Sequence, residues 1–343
     1  MNSASPTKLR TGPLVAIVCV GAGLALAPVA FSMFSRAPEG ATMIDEFRPY
    51  MTEERIDTYQ AYMAEIDAAV TEVDEQVRPH LAAEADIDGD AFDERFAGFV
   101  AFADAWPDID ADMSDLLDTV GANVDNFGDV DALPSFTLFP WFFVGPGLLV
   151  AGLGVAALVA PRRRILVKVL VGAGVALVIT PAVFQMFTRA PAGAEMIDDF
   201  TTMMTRERVR TTQGYFGTMS AGEGAIRLEL VPALEETGLG GDELAATFPA
   251  VAQLGDDWTG IINDMTPMIG AMSDNVDNYD AVAALPSFTL FPWFFVVPGL
   301  AVALLAALAA RDPRPRRTPA VDTASDDAAL DVPPAREPVR TPA

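Results

Sequence analysis

The sequence predicts an all-α membrane protein with four transmembrane helices, built by tandem duplication of a unit in which an extracytoplasmic helical bundle stands between two spans. Three observations predict it. FSMFSRAPEGATMIDEF at 31–47 returns as FQMFTRAPAGAEMIDDF at 184–200, and NVDNFGDVDALPSFTLFPWFFV at 123–144 returns as NVDNYDAVAALPSFTLFPWFFV at 275–296. Four apolar stretches, 13–34, 139–160, 165–187 and 291–310, each reach the roughly 20 residues that a spanning helix needs. The chain of 343 residues is 51% hydrophobic with a mean hydropathy of +0.28, more apolar than a soluble protein of its size.

Taken in order, residues 1–12 form an N-terminal segment carrying Lys8 and Arg10, followed by the first span at 13–34. Val18 precedes Cys19 where a lipoprotein signal requires a small residue. Ala25-Leu26-Ala27 is followed at once by Pro28, whose counterpart Pro181 lies in an internal span. The first span therefore reads as an uncleaved anchor. An outer segment at 35–138 leads to the second span at 139–160, and a short loop at 161–164 carries Arg162, Arg163 and Arg164. The third span at 165–187, a second outer segment at 188–290 and the fourth span at 291–310 follow. The tail at 311–343, with Arg311, Arg314, Arg316 and Arg317, is rich in Pro and Ala and lacks aromatic residues, the composition of disorder. Basic residues at 1–12, 161–164 and 311–343 place these segments in the cytoplasm, so both termini lie inside the plasma membrane and two large domains lie outside.

Within the first outer segment, apolar residues Ile56, Tyr59, Met63, Ile66, Val70, Val73 and Val77 recur at steps of three and four. They predict one long helix running from the Pro38-Glu39-Gly40 turn to Pro79. Gly222 and Gly224 interrupt the matching stretch of the second half and predict a kink there. Shorter helices are expected at 92–106 and 109–124, matched by 244–258 and 261–276, with Trp106 and Trp258 beside the turns. No alternating pattern predicts a sheet. Each outer segment is thus expected to form a bundle of its own. Two parallel repeats imply a pseudo-two-fold axis along the membrane normal, with the bundles side by side.

The net charge of −26 is concentrated in the outer segments and excludes nucleic acid as a partner. Cys19, inside a span, is the chain's one cysteine, so no disulfide staples the outer domains. The acidic turn Asp86, Asp88, Asp90, Asp93, Glu94 departs from the calcium-loop pattern, with glycine at the fourth place and Ala97 where a bidentate glutamate belongs. His80, the single histidine, becomes Ala233 in the second half. No nucleophile has a basic partner in the sequence, and no phosphate loop follows a strand, so neither an enzyme nor a cofactor or metal site is expected. Lys168 is the one ionisable residue well inside a span, near enough to the end to snorkel. Gly21, Gly23, Gly152, Gly154, Gly172 and Gly174 point to close helix packing, and Met43, Met51 and Met63 to core positions.

The most specific motif is LPSFTLFPWFF, identical at 133–143 and 285–295. Pro140 and Pro292 suit a first helical turn. Phe136, Phe139, Trp141 and Phe142, with Phe288, Phe291, Trp293 and Phe294, are expected at the membrane interface, as an aromatic belt or as a docking surface for a lipid or a partner helix. The pieces FRPYMT at 47–52, VPAL at 231–234 and FPAVAQL at 248–254, leading into this motif, resemble a group of uncharacterised actinobacterial membrane proteins with a helical outer domain between two spans. The resemblance implies the span, bundle, span unit and an actinobacterial envelope, and brings no functional residues. The expected role is a non-enzymatic interaction or scaffold component of the envelope, touching membrane lipid and an envelope protein. The alternatives are a sensor binding a ligand between the outer domains, and a transporter accessory or lipid-handling protein.

Overall fold

A computed structural model of the chain describes residues 11–161 and 163–311. Lys8, Arg10, Arg162 and the tail arginines beyond Arg311 lie outside the described residues. The first half contains α1 (Thr11–Ala30), α2 (Met33–Phe47), α3 (Glu53–Glu72), α4 (Arg78–Glu84), α5 (Gly89–Arg95), α6 (Ala97–Ala122), α7 (Val124–Asp131) and α8 (Phe139–Val159). The second contains α9 (Arg163–Val183), α10 (Met186–Asp199), α11 (Arg206–Ala225), α12 (Val231–Glu236), α13 (Asp242–Thr247), α14 (Pro249–Asp274), α15 (Val276–Ala283) and α16 (Phe291–Ala310). No strand occurs among the described residues.

Four helices, α1, α8, α9 and α16, are long and apolar enough to cross a membrane. Each packs closely on its partner in the same half. A Cβ added to Gly21 would lie 2.5 Å from the Ala151 nitrogen and 2.8 Å from the Gly147 oxygen. At the matched place, one added to Gly174 would lie 2.7 Å from the Gly299 oxygen. Only glycine lets these backbones meet. Gly154 also fills such a contact, whereas Gly23, Gly152 and Gly172 face open space. The two hairpins join through α1 against α16 and α8 against α9.

The spans end at Ser32 and Gln185, both in the left-handed conformation with φ of 54° and 53°. The chain does not turn at Pro38-Glu39-Gly40, as the sequence suggests. Instead α2 runs through Pro38, and α10 runs through Pro191. The long helix expected across 40–79 is broken at 48–52, where Thr52 turns extended and its hydroxyl accepts from the Arg55 N–H at 3.3 Å, an N-cap that starts α3. Thr205 does the same for α11.

The helix then continues past Pro79. Residues Val73–Val77 form a π-helical turn, as do Ile226–Leu230, and a proline follows each by two residues. The spacing of buried residues explains the turn. Val73, Val77 and Leu81, like Ile226, Leu230 and Leu234, step by four, and each such step overshoots an α-helical turn by about 40°. A widened turn keeps the stripe on the core side. Gly222 and Gly224 cause no break. The ring of Phe102, from the other half, occupies the space a Gly222 side chain would need. The expected helix pairs 92–106/109–124 and 244–258/261–276 are instead single 26-residue helices, α6 and α14, which pass through Trp106 and Trp258.

The largest departure concerns the outer segments, expected as two bundles. They build one. Helices α3, α6, α11 and α14 form a ring in which α3 packs on α6, α6 on α11, α11 on α14 and α14 on α3. Buried residues of both halves share a single core, from Tyr59, Phe99 and Trp106 to Leu254, Met265 and Met272. Between this bundle and the spans lies a middle layer in which α2 packs on α15 and α10 on α7, every pair crossing between halves. Met43 and Met51 are buried here and Met63 in the bundle.

Because each half's apolar face is covered by the other, neither half closes a core alone. Cut between 161 and 162 and co-expressed, the two halves are expected to co-purify in a one-to-one complex with the helical content of the intact chain, whereas each alone aggregates or is degraded. Co-purification and circular dichroism check this, and two independently stable halves would contradict it.

Candidate functional site at the junction of the layers

The repeated aromatic motif forms the junction. Ser135 is non-helical, its hydroxyl 2.9 Å from that of Thr137, and a short 3-10 turn at Phe136–Leu138 leads into α8, whose first turn holds Pro140. The second copy does likewise, with Ser287 and Thr289 at 2.8 Å. Matched phenylalanines then meet across the halves in three tiers. Phe136 faces Phe288 at 5.9 Å edge to face, Phe139 faces Phe291 at 4.6 Å, and Phe143 faces Phe295 at 5.0 Å. Such pairs contribute about 1 kcal/mol each beyond their burial.

Of the eight residues expected at the membrane interface, Trp141 and Trp293 face outward, 58% and 53% exposed, and contact Phe34 and Phe187. Phe142 packs on Phe184, and Phe294 on Phe31, both contacts between halves. Phe139 and Phe291 are buried against each other, and Phe136 and Phe288 are partly buried, so these four form an interior seam rather than an outward surface. The seam is nearly filled. An apolar cavity of about 30 Å³ remains beside it, with Met43, Met196, Phe136, Phe288 and Arg189 in its wall, room for little more than one water.

Polar groups tie the same layer together reciprocally. Arg36 donates to the Ala284 carbonyl at 2.8 Å and Arg189 to that of Ala132 at 3.1 Å, each reaching the C-terminal end of a short helix of the other half. Asn123 and Asn275 are fully buried. The Asn123 amide donates to Asp199 at 2.8 Å, and that of Asn275 to Glu46 at 2.6 Å, again crossing between halves. Each amide also donates to a backbone carbonyl four residues back, closing the α6 and α14 ends.

A third reciprocal set lies in the bundle. Asp264 accepts from Arg55 at 3.2 Å and from Tyr62 at 3.0 Å, and Asp112 accepts from Arg208 and Tyr215. The Asp112 carboxyl is held below its ordinary range, chiefly by the Tyr215 hydroxyl and next by Arg208. Tyr215 is correspondingly pushed up by Asp112, and Tyr62 is raised by burial and by Asp264. Burial pushes Tyr59 up to about 12. All three phenols stay protonated and available as donors.

His80 sits between halves, its Nε2 3.2 Å from the Thr237 hydroxyl and its ring edge-on to Phe248 at 5.5 Å. Near the acidic turn, Arg78 pairs with Asp93 at 3.1 Å, and no group of three or more His, Cys, Asp or Glu side chains able to hold a metal occurs among the described residues. The polar triads and the two asparagines do not stand out in either half read alone. Identity between halves at Arg55/Arg208, Tyr62/Tyr215 and Asp112/Asp264, amid diverged neighbours, is the signal that finds them.

No family model matches the chain, and no curated protein or solved structure matches it.

Two outcomes are expected. Asn275→Ala removes a fully buried amide that bonds both the exposed Glu46 carboxylate and the Ala271 carbonyl and should destabilise the chain by about 2 kcal/mol, and adding Glu46→Ala should then have a smaller effect than Glu46→Ala alone, measured by denaturant unfolding in detergent. The folded pKa of Asp112 lies below its unfolded value, so its stabilisation is complete above about pH 4 and is lost as the pH falls further. Thermal unfolding should accordingly show a weaker acid dependence below about pH 4 in Asp112→Asn than in the parent chain.

Proposed function

We propose that this chain is a non-enzymatic, multi-pass plasma-membrane protein that holds a single acidic helical body outside the cytoplasm as an interaction or scaffold component of the cell envelope. Its two halves are read as a duplicated unit of span, outer helices and span. Both termini face the cytoplasm on this reading, since Arg163, Arg164 and Lys168 cluster at the end of the spans remote from the bundle, with Arg162 beside them in sequence. An actinobacterial envelope is part of the same proposal.

The observation that carries this reading is the reciprocal locking of the halves at three heights: the aromatic seam, the buried asparagines and the Arg-Asp-Tyr triads. Such over-determination suits a body whose shape is presented to a partner. It suits a moving receptor or a carrier less well. The small junction cavity supports the lipid-handling alternative only if Phe136 and Phe288 separate to admit a chain.

The test is photo-crosslinking in native membranes from positions on the bundle surface, such as Asp57, Ser220 and Asp256. A reproducible envelope protein should crosslink there, and its yield should fall at least severalfold when exposed aspartates around 86–93 are changed to asparagine. Absence of a reproducible partner, with lipid instead crosslinking at Phe136 and Phe288, would move the assignment to lipid handling.

A further inference from the structure

The halves differ in charge at one matched place, where the second half alone has arginines, and the second half has a cleft there. It has a volume of about 270 Å³, a floor of the buried Val209 and Val276, and a rim of Arg206, Arg210, Gln213, Ser273 and Asp277. Arg206, Arg210 and Gln213 stand at i, i+4 and i+7 of α11 and so share one helix face. Arg206 spends one edge of its guanidinium on Asp277, 2.6 Å away, leaving further N–H groups for another acceptor. Arg210 is exposed and has neither a hydrogen bond nor an ion pair among the described residues. Asp277 and the nearby Asp280 offset the charge of Arg206, so Arg210 is the cation left to the rim.

In the first half the matched residues are Glu53, Asp57, Gln60, Gly121 and Asp125, over Ile56 and Val124. The same backbone frame therefore folds with three carboxylates and no cation. Folding does not require the arginines. In a chain of net charge −26, an arginine left without a carboxylate partner is also not explained by general neutralisation.

We propose that this cleft binds a small organic anion, a carboxylate or phosphate ester on a short carbon skeleton, and that the second half alone does so. The oxygens would bridge Arg206 and Arg210 by charge-assisted hydrogen bonds, with the Gln213 amide and Ser273 hydroxyl as further donors. The floor offers only the small exposed parts of Val209 and Val276, which suits a short carbon skeleton. The cleft belongs to the outer bundle. Helix α10, 14 residues and about 21 Å long, stands between α11 and the span α9, so the ligand comes from solution rather than from lipid headgroups. This site does not depend on the scaffold reading.

Isothermal titration of the full chain in zwitterionic nanodiscs tests it, with succinate, glycerol 3-phosphate and inorganic phosphate as separate probes. At least one organic anion should bind at a single site, more weakly as salt rises. Arg210→Asp, which installs the first half's residue, and Arg210→Gln should each weaken binding by about tenfold or more. Arg227→Gln, which removes a cation paired with Glu223 elsewhere on the bundle, should leave binding unchanged. No binding up to about 10 mM, equal binding in Arg210→Gln, or binding of long anionic polymers alone would overturn the proposal. Should Arg210→Asp not fold, Arg210→Gln carries the decision.

Discussion

The dependence of each half on the other for burial governs this structure. A helix that leaves the spans in one half lays its apolar face on a helix of the other, in the middle layer and again in the bundle. Within the spans, by contrast, the closest packing is inside each half, between glycine-lined backbones. The chain therefore changes its packing partner as it leaves the apolar layer. The aromatic motif sits where that change happens, which accounts for its identity in both halves when the surrounding spans differ.

The polar contacts follow from the same constraint. A buried amide or carboxylate must find a partner or lose several kcal/mol of solvation. The buried Asn123 and Asn275 find theirs in the opposite half, and the partly exposed Asp112 and Asp264 also pair between halves, so these groups help to fix register. The Phe102 ring beside Gly222 fixes the same register from within the apolar core.

The four spans and the aromatic motif are legible in the sequence because length, hydropathy and long identical strings suffice for them. Helix ends are legible less well, and for definable reasons. Pro38 reads as a turn and Pro79 as a stop, yet α2 runs through the first and the helix continues past the second, beside a π turn. The turn expected after Trp106 does not form, and Pro107 sits inside one helix. Gly222 reads as a weak point when considered locally, whereas its purpose is room for Phe102, a residue more than a hundred positions away. The sharing of one bundle is not legible at all, since periodicity says which face of a helix is buried and not which chain segment covers it. Of the junction, sequence shows the aromatic residues but not that Phe139 and Phe291 face each other while Trp141 and Trp293 face out. The cross-half triads need two scattered segments to be superposed before they appear.

The contact between Gly222 and Phe102 bears on how far the halves remain equivalent. At the matched positions the first half has Ala69 and the second has Leu254. Two first halves brought together in the same geometry would press Phe102 onto the Ala69 methyl, and two second halves would leave a hole between Leu254 and Gly222. Each half is thus shaped to reject its own kind, and a large residue in one has become the mould for a small one in the other. The two halves pack as the unlike subunits of a heterodimer would, joined end to end.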